Sequence, residues 1–384
     1  MQKEKALRVL YVFGAVADGG VEHIATELVK NMDRKRVHVS AVYHNCVVPE
    51  GVESIPVLHE LWPHMDKAPN FNTVNALSYR KWWKTYIDTH DKFDIVHLHY
   101  VDSAFCYLDL FRKKGTITIG HSHNPHARPF TLGLFWSCII SFPARYLCDY
   151  AFGCSHQAAK DIFGMRMIKS GRCRVLYNGI HLEEFKYNPD IRKNIRQNNH
   201  IEDNIFVIGH VGRFEKQKNH EFLLKVFSEF YKNHDSSELW LIGTGSLYEK
   251  SIELANELGI ANAVRFLGQV KNVNEYLQAF DCFVMPSNYE GLSLVIVEAQ
   301  VSGLPCIVSD AIQFDSDIGA GLLSVLSLRK NSVVEWSNTI HNTMSKERKD
   351  CCVYARNTGF DIMQIGKWLM EFYDKITDSQ NVTK

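Results

Sequence analysis

Two carboxylates eight residues apart, Glu290 and Glu298, stand in the segment NYEGLSLVIVEA, between the apolar run DCFVMPS and a stretch that closes near Gly303. If that stretch is a helix beginning near Leu292, Glu290 lies in the loop before it and Glu298 about 9 Å farther along. The separation suits the two ends of one nucleotide-sugar. The amides of Gly291, Leu292, Ser293 and Leu294 would then face an anion, because unpaired donors and the macrodipole favour phosphate at a helix start. Gly291 permits close approach. Taken alone, the same residues also read as a helix cap followed by one interior acid.

A basic pair, Arg213 and Lys218, occurs in VGRFEKQKNH, directly after an apolar run. Fixed positive charge there would stabilise a diphosphate as it leaves; by itself such a pair is also an ordinary solvated surface. Gly19 and Gly20 fall between the first expected strand and helix, where a loop can approach a phosphate. The chain carries no G-x-G-x-x-G there and no evident ribose-binding acid on the second strand, which counts against a dinucleotide enzyme. His97 and His99 (HLHY) and His121, His123 and His126 (HSHNPH) form two H-x-H patterns at strand ends. Spacing of two places each pair on one face. Zinc is weighed for them and set aside, because no nearby carboxylate or cysteine completes a clear ligand set; the expected metal complement is none.

These residues need elements to hold them. Short β-branched runs at 8–14, 37–43, 94–99 and 116–120 alternate with amphipathic stretches, and a second series follows at 205–212, 239–243, 264–268, 281–286 and 305–310. The rhythm predicts βαβ units and two parallel sheets. A break at 174–180, followed by a polar stretch at 188–204, marks the junction. The expected domains are 1–180 and 181–359, with a C-terminal helix of about 360–384 returning to the first; Ile362, Ile365, Leu369 and Phe372 or Tyr373 share its apolar face. A length of 384 residues fits two domains. The 43 basic and 43 acidic residues cancel, which removes the broad attraction that nucleic-acid binding uses. The N-terminus reads as a first strand rather than a secretion signal, no run is long enough to span a bilayer, and the ten cysteines lack a C-x-x-C pair. These features predict a cytoplasmic chain with buried thiols. Residues 130–147 are aromatic and apolar with few charges, and Arg128 and Arg145 accompany them; a core helix, or a peripheral membrane contact through 128–147, accounts for the stretch.

Taken together, Glu290 and Glu298 with the intervening GLSLVIV resemble the E-x7-E motif of glycosyltransferase family 4, retaining enzymes of the GT-B fold, in which two Rossmann-like domains face each other across a cleft. The segment with Gly212, Arg213 and Lys218 resembles that family's G-R-x4-K element. LIGTGSL with Gly243, FLGQV with Val270, and YNGIHLEEF at the junction are similar to further family segments, in order. HSHN and the later Phe163–Gly164 pair look like the subgroup that makes bacterial capsular and exopolysaccharides. The resemblance implies transfer of a sugar from a nucleoside diphosphate sugar, UDP by family preference, to a glycan or lipid-linked acceptor. It implies that Arg213 and Lys218 hold the diphosphate, that Glu290 bonds sugar hydroxyls and Glu298 the ribose, and that His121 lines the sugar pocket. Gly19, Gly20, Gly212, Gly243, Val270 and residues 291–294 complete the donor site, with no cofactor beyond the donor. The family's usual glycine-rich ending is replaced here by GAGLLSVLSL. A GT-B isomerase, a non-catalytic nucleotide-sugar-binding partner and an NAD-dependent enzyme stay open as alternatives.

Overall fold

Runs such as IVHL, ITIGHS, CFVM and CIVS carry apolar or small residues at consecutive positions, and every residue of these four strands is buried. A strand covered on both faces is the parallel-sheet condition, and all strand pairings found here are parallel. The computed structural model describes residues 6–16, 20–46, 65–123, 139–312, 314–328 and 333–382. They form two compact units, residues 1–179 with 362–384, and residues 180–361.

In the first unit the described strands are β1 (Leu7–Val16), β2 (Val37–Cys46), β3 (Met65–Lys67), β4 (Ile95–Leu98), β5 (Ile117–Ser122), β6 (Tyr150–Gly153) and β7 (Cys173–Val175), in the spatial order β3-β2-β1-β4-β5-β6-β7. An aromatic cluster fills one side. Trp83 stacks on Tyr107 at 4.2 Å, with Tyr79, Tyr86 and Phe111 around them. The helix Ile362–Val382 belongs to this unit. Its buried Ile362, Ile365, Leu369 and Tyr373 make the expected apolar face, and the Tyr373 hydroxyl lies 3.0 Å from that of Tyr11 on β1.

In the second unit β8 (Phe206–Val211), β9 (Ser237–Ile242), β10 (Val264–Gly268), β11 (Cys282–Met285), β12 (Cys306–Ser309) and β13 (Leu323–Leu326) run in the order β10-β9-β8-β11-β12-β13. Strand order reverses between β8 and β11, so the loops leaving these two strands diverge and open a crevice at their carboxyl ends. The opposite ends are locked. Asp281 accepts from Arg192 at 2.6 Å, from Arg196 at 3.3 Å and from the Val207 amide at 2.8 Å. The buried Arg196 also donates to the carbonyls of Glu202, Ile205 and Ala279. The stretch expected as a polar junction is therefore partly the helix Pro189–Asn198: Asn188 caps it through the amides of Asp190 and Ile191, and Pro189 opens its first turn.

Segment GLLSVLSL, the departure from the family ending, supplies β13 at the sheet edge. Among the described residues eight cysteines are buried thiols, and no helix is long and apolar enough to cross a membrane. Of residues 128–147, 128–138 lie outside the described part; in the remainder Ile139, Phe142 and Tyr146 are exposed. Arg145 donates to the carbonyls of Asp161 and Ile162.

Packing between β8 and β11 leaves no space at Gly209, where an added Cβ would come 1.9 Å from a ring carbon of the buried Phe280. Gly209→Ala is expected to destabilise the second unit by about 1–3 kcal/mol through overpacking. Urea unfolding followed by tryptophan fluorescence measures this, and an unchanged midpoint would contradict the packing described.

Candidate active site

The site begins where β8 ends. Gly212 donates its amide to Ile242 O at 2.9 Å, and Gly243, at φ +136°, donates to Gly268 O at 2.8 Å. A Cβ on Gly243 would lie 2.1 Å from Gly212 O, so the backbones after β8, β9 and β10 touch only because no side chain intervenes. This gives a floor of bare backbone. A Cβ on Gly212 would meet the Lys218 stem at 3.0 Å, which shows that the lysine folds back over that floor.

Lys218 is aimed by the turn that follows it. Asn219 sits in the left-handed region (φ 57°, ψ 48°) just before the helix His220–Tyr231, an uncommon conformation for a residue with a side chain. Its side-chain amide donates to Pro286 O at 3.2 Å, tying the turn to the loop after β11. Three more bonds join these loops: the Asn288 amide to Gln217 O (2.8 Å), Asn288 Nδ2 to Lys216 O (2.6 Å) and Gln217 Nε2 to Tyr289 O (3.1 Å). Between them Lys218 Nζ donates to Glu290 Oε1 at 2.7 Å, with the two side chains 15% and 8% exposed. A charge so covered requires a partner, and here each group is the other's. Arg213 remains exposed, and among the described residues its guanidinium forms no ion pair.

Glu298 lies inside the helix Leu294–Val301, partly buried. Burial raises its carboxyl from the ordinary range to about 7. Among the described residues no side chain or amide bonds it, so its acceptor capacity is available to a ligand. The helix starts two residues later than expected. The Ser293 amide is consequently taken by Ser316 Oγ at 3.2 Å and cannot serve an anion, whereas the amides of Gly291, Leu292 and Leu294 have no acceptor among the described residues.

Two buried histidines escaped the sequence reading. His210 on β8 uses Nδ1 on Val284 O at 2.8 Å, and its Nε2 lies near Gly212 with no partner among the described residues. His220 stacks on Phe214 at 3.9 Å, and neither of its ring nitrogens has a partner there. Burial, then the neighbouring Lys218 charge, lowers His220 to about 4, so a neutral ring lies beside the lysine at pH 7. The only sequence signal was its position two residues after Lys218.

The remaining expected residues divide. Gly212, Arg213, Lys218, Gly243, Glu290, Gly291, Leu292, Ser293, Leu294 and Glu298 all belong to the second unit, at the carboxyl ends of its strands or on the loop and helix that follow. Val270 follows β10 and packs its side chain against the core. Gly20 is the first residue of the helix Gly20–Lys30, and Gly19 lies outside the described residues. His121, on β5 of the first unit, is 1% exposed and stacks on His123 at 4.1 Å; in this arrangement its neighbours are protein rings rather than an open pocket.

Residues 18–184 match the family profile described as Glycosyltransferase Family 4, and residues 191–350 that described as Glycosyl transferases group 1. A Bacillus subtilis (strain 168) protein named as glycosyltransferase EpsF is 32% identical over 97% of this chain and 98% of its own length. The Escherichia coli UDP-Gal:alpha-D-GlcNAc-diphosphoundecaprenol alpha-1,3-galactosyltransferase is 28% identical over 57% of this chain and 58% of its own. Among solved structures, Anabaena HepE in complex with UDP superposes with a TM-score of 0.72 at 17% identity, covering 96% of this chain and all of that one. The likeness extends along the whole chain and matches both halves in the family's order, so the two parallel α/β units are a GT-B fold and the chain belongs to glycosyltransferase family 4.

Proposed function

We propose that this glycosyltransferase transfers a hexosyl group from a UDP-sugar, with retention at the anomeric carbon, to a glycan or lipid-linked acceptor in polysaccharide assembly. The observation that carries the reading is the Lys218–Glu290 pair, held at the strand-order reversal above a backbone floor and within the same unit as the partnerless Glu298. HepE is named in complex with UDP-glucose, and the Escherichia coli relative is named for a UDP-sugar donor and a lipid diphosphate acceptor, which supports this donor and acceptor class.

In the proposed reaction the donor diphosphate draws Lys218 from Glu290 and meets Arg213 and the amides of Gly291, Leu292 and Leu294. These groups supply donors and positive charge where the leaving group becomes more negative, without recruiting a metal ion. Glu290, released from the lysine, accepts from sugar hydroxyls, and Glu298 accepts from the ribose. The bond between the anomeric carbon and the phosphate oxygen breaks as the acceptor oxygen bonds to the same face. The acceptor proton passes to the departing phosphate oxygen, giving UDP and a glycoside of unchanged configuration. Exposed Ile139, Phe142 and Tyr146 support a peripheral contact with the membrane that carries a lipid-linked acceptor.

The direct assay incubates the protein with labelled UDP-hexoses and a polyprenyl-diphosphate sugar and reads the new linkage by proton NMR. A product with the donor's anomeric configuration is expected. Inversion would refute retention, and an altered hexose formed without acceptor would identify an isomerase. Lys218→Ala is expected to lower kcat/KM about 10²–10³-fold with the circular dichroism spectrum unchanged; full activity would sink the assignment.

The Glu298 carboxyl also predicts a pH dependence. Below about 7 it is protonated in the unliganded protein, and a neutral carboxyl is a poorer acceptor for ribose hydroxyls. UDP affinity should therefore rise with pH through that region, by at most about tenfold per unit for one proton. Because phosphate titrates nearby, calorimetry on wild type and Glu298→Gln isolates the effect. The variant should lose part of the slope, and identical profiles would contradict the role.

A further inference from the structure

Strand pairing brings together histidines that the sequence separates. His97↔Ile119 and Leu98↔Gly120 are paired in register, so His99, one residue beyond β4, stands beside His121 on β5. With the alternation of side chains along a strand, His97, His99, His121 and His123 share one face of the first unit's sheet. The exposures of His97, His99 and His121 are 0%, 8% and 1%. One ligand atom from each of these three lies within 4.8 Å of the others. His97 Nε2 and His99 Nε2 have no hydrogen-bond partner among the described residues, while His121 has the backbone of Leu176 beside one ring nitrogen. Buried polar atoms are almost always satisfied, so orphaned ring nitrogens gathered in one place call for an unseen partner.

The surrounding bonds prepare the nitrogens for one. His123 Nδ1–H donates to Asn178 Oδ1 at 3.2 Å, leaving His123 Nε2 an acceptor. His99 Nδ1–H donates to that atom at 2.8 Å, leaving His99 Nε2 with a bare lone pair. On His97 the Nδ1 atom is 2.5 Å from the Tyr373 hydroxyl, again leaving Nε2 for a ligand. Metal-bound imidazoles characteristically use their second nitrogen in this way, on a partner that fixes the ring. Tyr11, Phe13 and Phe152 pack aromatic rings around the cluster.

We propose that His97, His99 and His121 bind one divalent transition-metal ion of the zinc class, with His123, Asn178 and Tyr373 as positioning residues. Three neutral imidazoles suit such an ion, and a fourth position falls to water or a ligand oxygen. The nitrogens would draw in to the separation of about 3.4 Å that bonds of about 2.05 Å impose on a tetrahedral centre. The third ligand comes from the neighbouring strand, which is why two isolated H-x-H patterns did not make a ligand set in the sequence.

Full-length protein, purified without a metal-affinity tag and stripped by chelator, is incubated with zinc chloride, gel-filtered and measured by plasma mass spectrometry; cobalt chloride replaces zinc for visible spectroscopy. About one ion per chain and the intense ligand-field bands of tetrahedral cobalt are expected. The double variant His99→Ala/His121→Ala should retain less than about a tenth of that metal, His38→Ala all of it, and Asn178→Ala should bind at least about tenfold more weakly. No retained zinc and only the pale spectrum of octahedral cobalt in wild type would overturn the proposal, and that measurement needs no variant to fold. Undiminished binding by the double variant would overturn it too. The metal readout is independent of the transferase reaction.

Discussion

The proposed donor site depends on a lysine that the fold covers and therefore has to partner. Lys218 is largely removed from solvent, and the only arrangement that keeps its charge there is one that brings Glu290 within hydrogen-bond distance. That requirement fixes the loops after β8 and β11 relative to each other. The left-handed Asn219, the Asn288 and Gln217 bonds and the close glycine contacts hold the pair in place. The crevice itself comes from strand order. Parallel strands send their loops apart only where the order reverses, and Asp281, bound by two arginines at the other end of the sheet, keeps β8 and β11 adjacent.

An ion pair in this position has two uses. Before donor arrives it keeps two largely covered charges paired with each other. In the proposed reaction both partners are already positioned for different parts of the same ligand when a diphosphate arrives. Preorganisation of this kind removes reorganisation from the chemical step, which is where electrostatic catalysis gains most. Glu298 is prepared differently: burial raises its carboxyl to about 7, so in the proposed reaction a donor that offers hydroxyls competes with solvent protons for it.

Most central strands were legible because burial on both faces forces consecutive apolar residues, as in IVHL and CFVM; β6, YAFG between β5 and β7, was missed. The edge strands β3 and β13 were not legible, although the edge strand β10 was. β3 is the three-residue MDK and β13 is half exposed, so neither shows an apolar run or a clean alternation. The helix Pro189–Asn198 hid in a polar stretch because Ile191 and Ile195 are its only aliphatic core contacts and Arg196 completes the buried face. Residue types and spacing identified Arg213, Lys218, Glu290 and Glu298 as candidates, yet the contact between Lys218 and Glu290 spans 72 positions and follows from topology alone. The later helix start, which commits the Ser293 amide to Ser316, depends on a packing partner outside the motif. The histidines show the same limit: period two placed each pair on a face, and only strand register could place the two pairs side by side.

The central claim is that the second unit recognises a uridine diphosphate group, and a thermal-shift panel of UDP, GDP, ADP, CMP and NAD tests it most directly. At 100 times its dissociation constant a ligand adds about 2.7 kcal/mol to native-state stability. The account predicts that UDP raises the melting temperature while NAD and CMP leave it unchanged. Stabilisation by NAD alone, or no response to any nucleoside diphosphate at millimolar concentration, would contradict it.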